Sequence, residues 1–164
     1  EFYNFSEEEA SKALQFYRER FAITGLFENE VYEGMEKLLK NLNMLNYRIA
    51  VATSKPTVYA KQILDFFNLS KYFEVIVGSE LDGTRSAKGD VIEEVLKQMK
   101  IEKKDQCVMI GDRKHDLIGA SENGIDSIGV TYGYGSQQEL EDANATYIVH
   151  SVDSLSIIFG KEAK

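Results

Sequence analysis

The sequence predicts an α/β fold: a doubly wound parallel sheet of Rossmann-like type, preceded by a helical segment. Three observations predict it. From residue 49 onward, short apolar runs alternate with amphipathic helical stripes. Two of those runs end in residues suited to chemistry, Thr53-Ser54 and Gly111-Asp112. The part of the chain ahead of residue 49 reads as helix alone. Such alternation requires crossover connections, which are right-handed and leave the strands parallel.

The elements follow in order. Ser6 opens a capping box closed by Glu9, and Ala10, Ala13, Leu14, Tyr17 and Phe21 then recur on one helical face. Residues 25 to 30 break that pattern. A second amphipathic helix runs through Met35, Leu38, Leu39, Leu42 and Leu45. Strands are expected at 49 to 53, 74 to 77, 107 to 111, 126 to 131 and 146 to 149. The helices between them carry stripes such as Tyr59, Ile63, Phe66 and Phe67, or Val91, Ile92, Val95, Leu96 and Met99. There is no internal repeat, low-complexity tract or linker, so residues 28–164 read as one core and 1–27 as an appendage to it.

Composition narrows the function. With 164 residues and 43% hydrophobic content the chain can bury a core, and a net charge of -8 argues against a nucleic-acid partner. Positive charge nevertheless gathers around the candidate chemistry, at Lys55, Arg85, Lys88, Arg113 and Lys114, where it can attract a small phosphorylated anion. The single Cys107 cannot form an internal disulfide, so a reducing compartment, the cytoplasm, is expected. As a small thiol at the start of a strand it has little claim to be a nucleophile. No apolar run approaches the ~20 residues that cross a bilayer, so no membrane partner is expected. His115, beside an acidic pair, is a weak candidate for substrate contact, and His150 a weaker one.

Three segments carry candidate chemistry. In Val108-Met109-Ile110-Gly111-Asp112-Arg113-Lys114-His115-Asp116, two carboxylates lie four residues apart where an apolar strand gives way to a helix. Strand ends of this kind face a crevice, and a carboxylate there is a hard oxygen ligand suited to magnesium; a plain helix cap is the simpler alternative. In Ile49-Ala50-Val51-Ala52-Thr53-Ser54-Lys55-Pro56, an apolar strand ends in hydroxyls, and the Ser54 and Lys55 amides at a helix start could hold phosphoryl oxygens beside Thr53. The third segment is Lys88, just ahead of an amphipathic helix. A lone lysine there is usually solvated, and only the company of the other two segments gives it a role.

Taken together and in this order, these segments resemble the haloacid dehalogenase superfamily of aspartate-nucleophile phosphatases, with Thr53, Lys88 and the Asp112/Asp116 pair on its second, third and fourth motifs. Gly78 to Ser86 and Gly133-Tyr134-Gly135-Ser136 resemble the branch of phosphoglycolate phosphatases and 5′-nucleotidase-like proteins. The resemblance implies Mg2+-dependent hydrolysis of a small phosphate monoester through an aspartyl-phosphate. In that scheme Thr53, Ser54, Lys55 and Lys88 bind phosphate, Asp112 and Asp116 serve the metal, and Thr53, Lys88, Asp112 and Asp116 form the catalytic set. Residues 1–27 then correspond to the last part of a helical cap that covers the site.

One departure matters. Relatives begin with an apolar strand ending in Asp-x-Asp-Gly-Thr, and no such strand precedes residue 49. The expectation is therefore a chain that lacks this central first strand and its nucleophile. Its place, between the Thr53 and Asp112 strands, would be filled by the missing N-terminal segment or by a neighbouring chain, and the 164 residues alone would be inactive. Burying about five apolar side chains at ~1.5–3 kcal/mol each is comparable with a domain's whole net stability. Leu81-Asp82-Gly83-Thr84 imitates the nucleophile motif, but Glu80 holds the attacking position and Asp-Gly is most simply a turn. Glu33, where relatives commonly have Pro, affects only a turn. The competing readings are a non-catalytic remnant that binds phosphate or a protein partner, a phosphomutase, and a metal-independent dehalogenase.

Overall fold

The computed structural model describes residues 4–160. Helix α1 (Glu7–Ile23) starts at the expected capping box, where Ser6 Oγ accepts the Glu9 amide at 3.3 Å and Glu9 accepts the Ser6 amide at 2.9 Å. A 3-10 turn, Gly25–Phe27, follows and buries Leu26 completely. Helix α2 (Met35–Met44) turns Leu38, Leu39 and Leu42 inward, three of the residues that gave its stripe.

From there strands and helices alternate as expected: β1 (Ala50–Pro56), α3 (Thr57–Phe66), β2 (Val75–Ser79), α4 (Lys88–Gln98), β3 (Val108–Gly111), α5 (Lys114–Glu122), β4 (Asp126–Val130), α6 (Gln137–Asp142), β5 (Tyr147–Val149) and α7 (Val152–Phe159). Five helices stop the same way. Asn46, Asn68, Lys100, Gly124 and Asn144 take left-handed φ values after α2, α3, α4, α5 and α6. The next amide in each case returns to a carbonyl five residues back, as in Tyr47 to Leu42 at 2.9 Å and Ile101 to Leu96 at 2.9 Å. These closures satisfy orphan carbonyls and turn the chain back toward the sheet at once.

The strands form two parallel sheets, β1–β2 and β3–β4–β5. Each sheet has its own core. Val77, Val91, Val95 and Met99 pack with Ala50, Ala52 and Val75 between the first sheet and α4. Leu38, Leu42, Ile128, Val130, Val149, Val152 and Leu155 join the second sheet to α2 and α7. Contacts between α4 and α5 tie the halves together.

Among the described residues β1 and β3 do not pair with each other. Between them runs a cleft of about 1080 Å³, walled by Ala50, Val51 and Ala52 on one side and by Val108, Met109 and Ile110 on the other. Ile92, Val95 and Leu96 line it from α4, with Met99 just after that helix. Its position is the one that the family resemblance gives to a central strand.

Strand ends shift by one to three residues from the sequence reading, and two of these boundaries bear on the site. β1 continues to Pro56, and its pairing with β2 shifts register between Ala52 and Pro56, so Thr53, Ser54 and Lys55 occupy a bulge. Consequently α3 begins only at Thr57, and the Ser54 and Lys55 amides precede the helix instead of opening it. Pro56 explains the delay: it has no amide hydrogen, and it biases the residue before it away from helix.

Candidate active site

The three segments singled out by the sequence converge through one side chain. Lys88, the first residue of α4, donates from Nζ to the Ala52 carbonyl at 3.0 Å and lies 2.9 Å from Asp116 Oδ1. Ala52 is the residue before Thr53, so this ammonium joins the end of β1 to the start of α5. Both partners of the ion pair are buried, with side chains 11% and 8% exposed. A buried charge of either sign is costly alone, which is why the two are found together. The start of α4 is fixed against α5 by Asn123, whose Nδ2 donates to the Gly89 carbonyl at 2.9 Å.

Both oxygens of Asp116 are engaged. Its second oxygen, Oδ2, accepts the Arg113 amide at 3.1 Å, closing the first turn of α5. Asp112, directly after β3, is held differently. The Tyr134 amide donates to its Oδ2 at 2.8 Å and the Gly135 amide to its carbonyl at 3.0 Å. The loop after β4 therefore wraps Asp112, and glycine is required for the approach: a Cβ on Gly133 would stand 2.4 Å from the Asp112 side chain, and one on Gly135 2.1 Å from its carbonyl oxygen. Oδ1 of Asp112 has no hydrogen-bond partner among the described residues.

Around this centre, Thr53 Oγ1 accepts the Lys55 amide at 3.2 Å, so that amide is engaged within the bulge. Ser54 is exposed, and its carbonyl accepts Ser79 Oγ at 2.9 Å from the end of β2. Lys55 is half-buried with its Nζ 4.3 Å from the centroid of the Phe21 ring, and burial lowers its ammonium pKa below the usual lysine value. Tyr32 and Tyr132 meet edge to face at 5.2 Å beside Asp112. Burial first, then Tyr32 and Asp112, push the Tyr132 phenol up to about 12.

The remaining sequence candidates fall as follows. Arg113 and the Lys114 amide are both engaged by Glu139 of α6, at 2.8 and 2.9 Å. Arg85 is engaged by Glu80 and by the Gly78 carbonyl at 3.2 Å. The nucleophile imitation is a turn: Asp82 Oδ1 accepts both the amide and the hydroxyl of Thr84, and Gly83 has φ +89°. His115 is exposed, and His150 Nδ1 lies 2.9 Å from Thr131 Oγ1. Cys107 is half-buried on the cleft wall, away from the Asp112 end of β3.

Sequence reasoning missed Phe21, Tyr132 and Glu139. For Glu139 a signal existed in Ser136-x-x-Glu139, but the side chain reaches α5 instead of its own cap. The loop 133–135 was noticed only as a motif, not as the clamp on Asp112.

Magnesium prefers oxygen ligands and commonly takes one or two carboxylates plus substrate oxygens and waters. Among the described residues no cluster of three or more His, Cys, Asp or Glu side chains is placed to hold a metal. The donor set nonetheless fits: Asp112 offers a free carboxylate oxygen, while Asp116 has both oxygens committed and stands behind it.

A profile of haloacid dehalogenase-like hydrolases matches residues 2–130. The chain belongs to this family. It is 46% identical over 145 residues to a 5′-nucleotidase from Pseudomonas aeruginosa, a match that spans 88% of this chain and 65% of that protein. It is 36% identical over 155 residues to the tyrosine-protein kinase PtkA of Mycobacterium tuberculosis, across 93% of this chain and 53% of the other. The crystal structure of a predicted phosphatase from Clostridium acetobutylicum superposes with a TM-score of 0.90 at 52% identity, covering 98% of this chain and 74% of that one. The chain thus spans between about half and two thirds of these curated relatives. No helix among the described residues is long and apolar enough to cross a membrane.

Proposed function

We propose that this chain is the major part of a magnesium-dependent phosphatase acting on a small phosphate monoester in the cytoplasm. The observation that carries the reading is the Lys88 bridge. One buried ammonium reaches the Ala52 carbonyl, next to Thr53, and the carboxylate of Asp116, four residues on from Asp112, which supports reading the three segments as one site.

The nucleophile in this reading is an aspartate at the end of an extended segment lying in the cleft between β1 and β3. Two free parallel edges and apolar walls suit a parallel strand, and the end of such a strand emerges between Thr53 and Asp112. The segment belongs to the same polypeptide upstream or to a neighbouring chain. Its carboxylate oxygen bonds to phosphorus as the ester oxygen leaves and takes a proton; water then attacks phosphorus, releasing phosphate and restoring the carboxylate. Thr53 donates its hydroxyl to a phosphoryl oxygen, with the Ser54 amide beside it. Lys88 keeps positive charge at the same cluster. Asp112 would hold Mg2+ through its free oxygen, and Asp116 fixes Lys88 and the first turn of α5. Bound there, the cation offsets negative charge on nucleophile and phosphate.

Phosphate release, in contrast to transfer to a second molecule, separates this reading from a phosphomutase. The test compares the 164-residue chain with the same chain joined to its upstream segment, using a generic aryl phosphate with magnesium and then with a chelator. The isolated chain should release no measurable phosphate and the completed one should release it only with magnesium. Full turnover by the isolated chain would overturn the proposal.

A further inference from the structure

We infer that Arg85 is a positioning residue for Lys88: it fixes the start of α4 against the end of β2, and so sets where the Lys88 ammonium meets the Ala52 carbonyl and Asp116. The inference rests on the phosphatase reading and extends it to a residue outside the reacting groups. Helix α4 needs such an anchor. Its N-cap is Ala87, which has no side-chain oxygen to hold the free amides of the first turn, and Lys88 is the first helical residue, where an uncapped helix frays soonest. Asn123 ties this end to α5 from one side. Arg85 ties it to β2 from another.

The Arg85 guanidinium spans three elements. Its Nε donates to the Gly78 carbonyl at 3.2 Å, one Nη donates to Glu80, and the other Nη lies 3.9 Å from Glu94 Oε1 on α4. All three nitrogens are engaged, so Arg85 acts through Lys88 and not on a phosphoryl group. A lysine ammonium, a point charge, cannot reproduce that planar fork. The backbone agrees: Arg85 has φ +53°, and among the described residues it is the one left-handed residue other than glycine that is neither asparagine nor the end of a helix. Side chains disfavour this conformation, and the three contacts offset its cost. Gly78 carries the tie onward. Its amide donates to Thr57 Oγ1 at 2.9 Å, and a Cβ on it would lie 2.0 Å from the Lys55 carbonyl oxygen, so β2 is pressed against the bulge that holds Thr53. Arg85 therefore keeps the Lys88 end of α4 in place relative to that bulge.

Arg48 supplies the control. It too forks onto a carboxylate, that of Glu74, and donates to a carbonyl, that of Met99 at 2.7 Å, but at the far end of α4. The test uses the whole protein, with the segment that completes it, a generic aryl phosphate and magnesium, at a temperature where unfolding curves show every variant folded. Arg85→Gly suits the left-handed backbone and removes only the side chain. It should lower kcat about 10²-fold with KM changed far less, because a small displacement of Lys88 misplaces charge in the transition state. Arg85→Lys should lose about tenfold, and it decides alone if Arg85→Gly does not fold. Arg48→Ala should lose stability and keep wild-type turnover. Wild-type kcat in either Arg85 variant, a loss confined to KM, or an equal loss of kcat in Arg48→Ala would overturn the positioning role while leaving the hydrolase reading intact. A completed wild type that releases no phosphate overturns the hydrolase reading and this role together.

Discussion

Lys88 and Asp116 neutralise each other where neither would be tolerated alone, and the Ala52 carbonyl supplies the ammonium with a further partner. Removing one partner leaves an uncompensated buried charge. Lys88→Met should therefore lower unfolding free energy by about 3–5 kcal/mol in urea, and Lys88→Met combined with Asp116→Leu should recover much of that loss. A cost below about 1 kcal/mol for the single variant would mean the pair is solvated. Gly133 gives a complementary probe of position. Its Cβ would collide with the Asp112 side chain, so Gly133→Ala should cost on the order of 10²-fold in kcat/KM with the fold retained. An unchanged rate would show that Asp112 tolerates displacement. Tyr132 ties stability to alkaline pH. Its folded pKa, about 12, exceeds the ordinary tyrosine value of 10.0, so above that value the unfolded chain loses a proton that the native one keeps. Stability from this group is present below pH 10.0 and is lost as pH rises through about 12. Tyr132→Phe should remove its share of the decline, and identical slopes in both proteins would count against the assignment.

At the level of elements, helix ends govern how tightly strands follow helices. Four of the five left-handed terminators are Asn or Gly, residues that accept this conformation readily; Lys100 is the exception, at φ 52°. Lys100→Gly should relieve strain worth more than the added freedom of the unfolded chain, raising stability by about 0.5–1 kcal/mol in a denaturant titration. A loss instead would mean the Lys100 side chain holds something that its backbone does not show. The elements themselves were legible in sequence, because apolar stripes and short apolar runs report burial directly. Ser6 with Glu9 located the first helix to the residue. The bulge at Thr53–Lys55 was not legible, since it depends on register against β2 and on Pro56, and a single strand's sequence carries no register.

Across the whole molecule, two half-sheets with separate cores meet along α4 and α5 and face each other across an apolar cleft. Each exposes a strand edge there, the arrangement that invites another strand. A hydroxyl residue in β1 and an acidic one after β3 singled out Thr53 and Asp112, their company singled out Lys88 and Asp116, and the Lys88 contacts to Ala52 and Asp116 show that these segments meet in space. Partners that act through backbone or ring faces were not findable. The Tyr134 and Gly135 amides, Phe21 and the reach of Glu139 depend on which loops meet in space, and no spacing rule encodes that.

The account turns on Asp112 as the carboxylate that serves a cation at a phosphoryl pocket. The most direct test is phosphate release by the completed protein, wild type against Asp112→Asn, with and without magnesium, after equal unfolding midpoints have been established for both. The account predicts a fall of about 10²-fold or more in the variant and loss of wild-type turnover on chelation. Turnover that survives both the substitution and the chelator would contradict it.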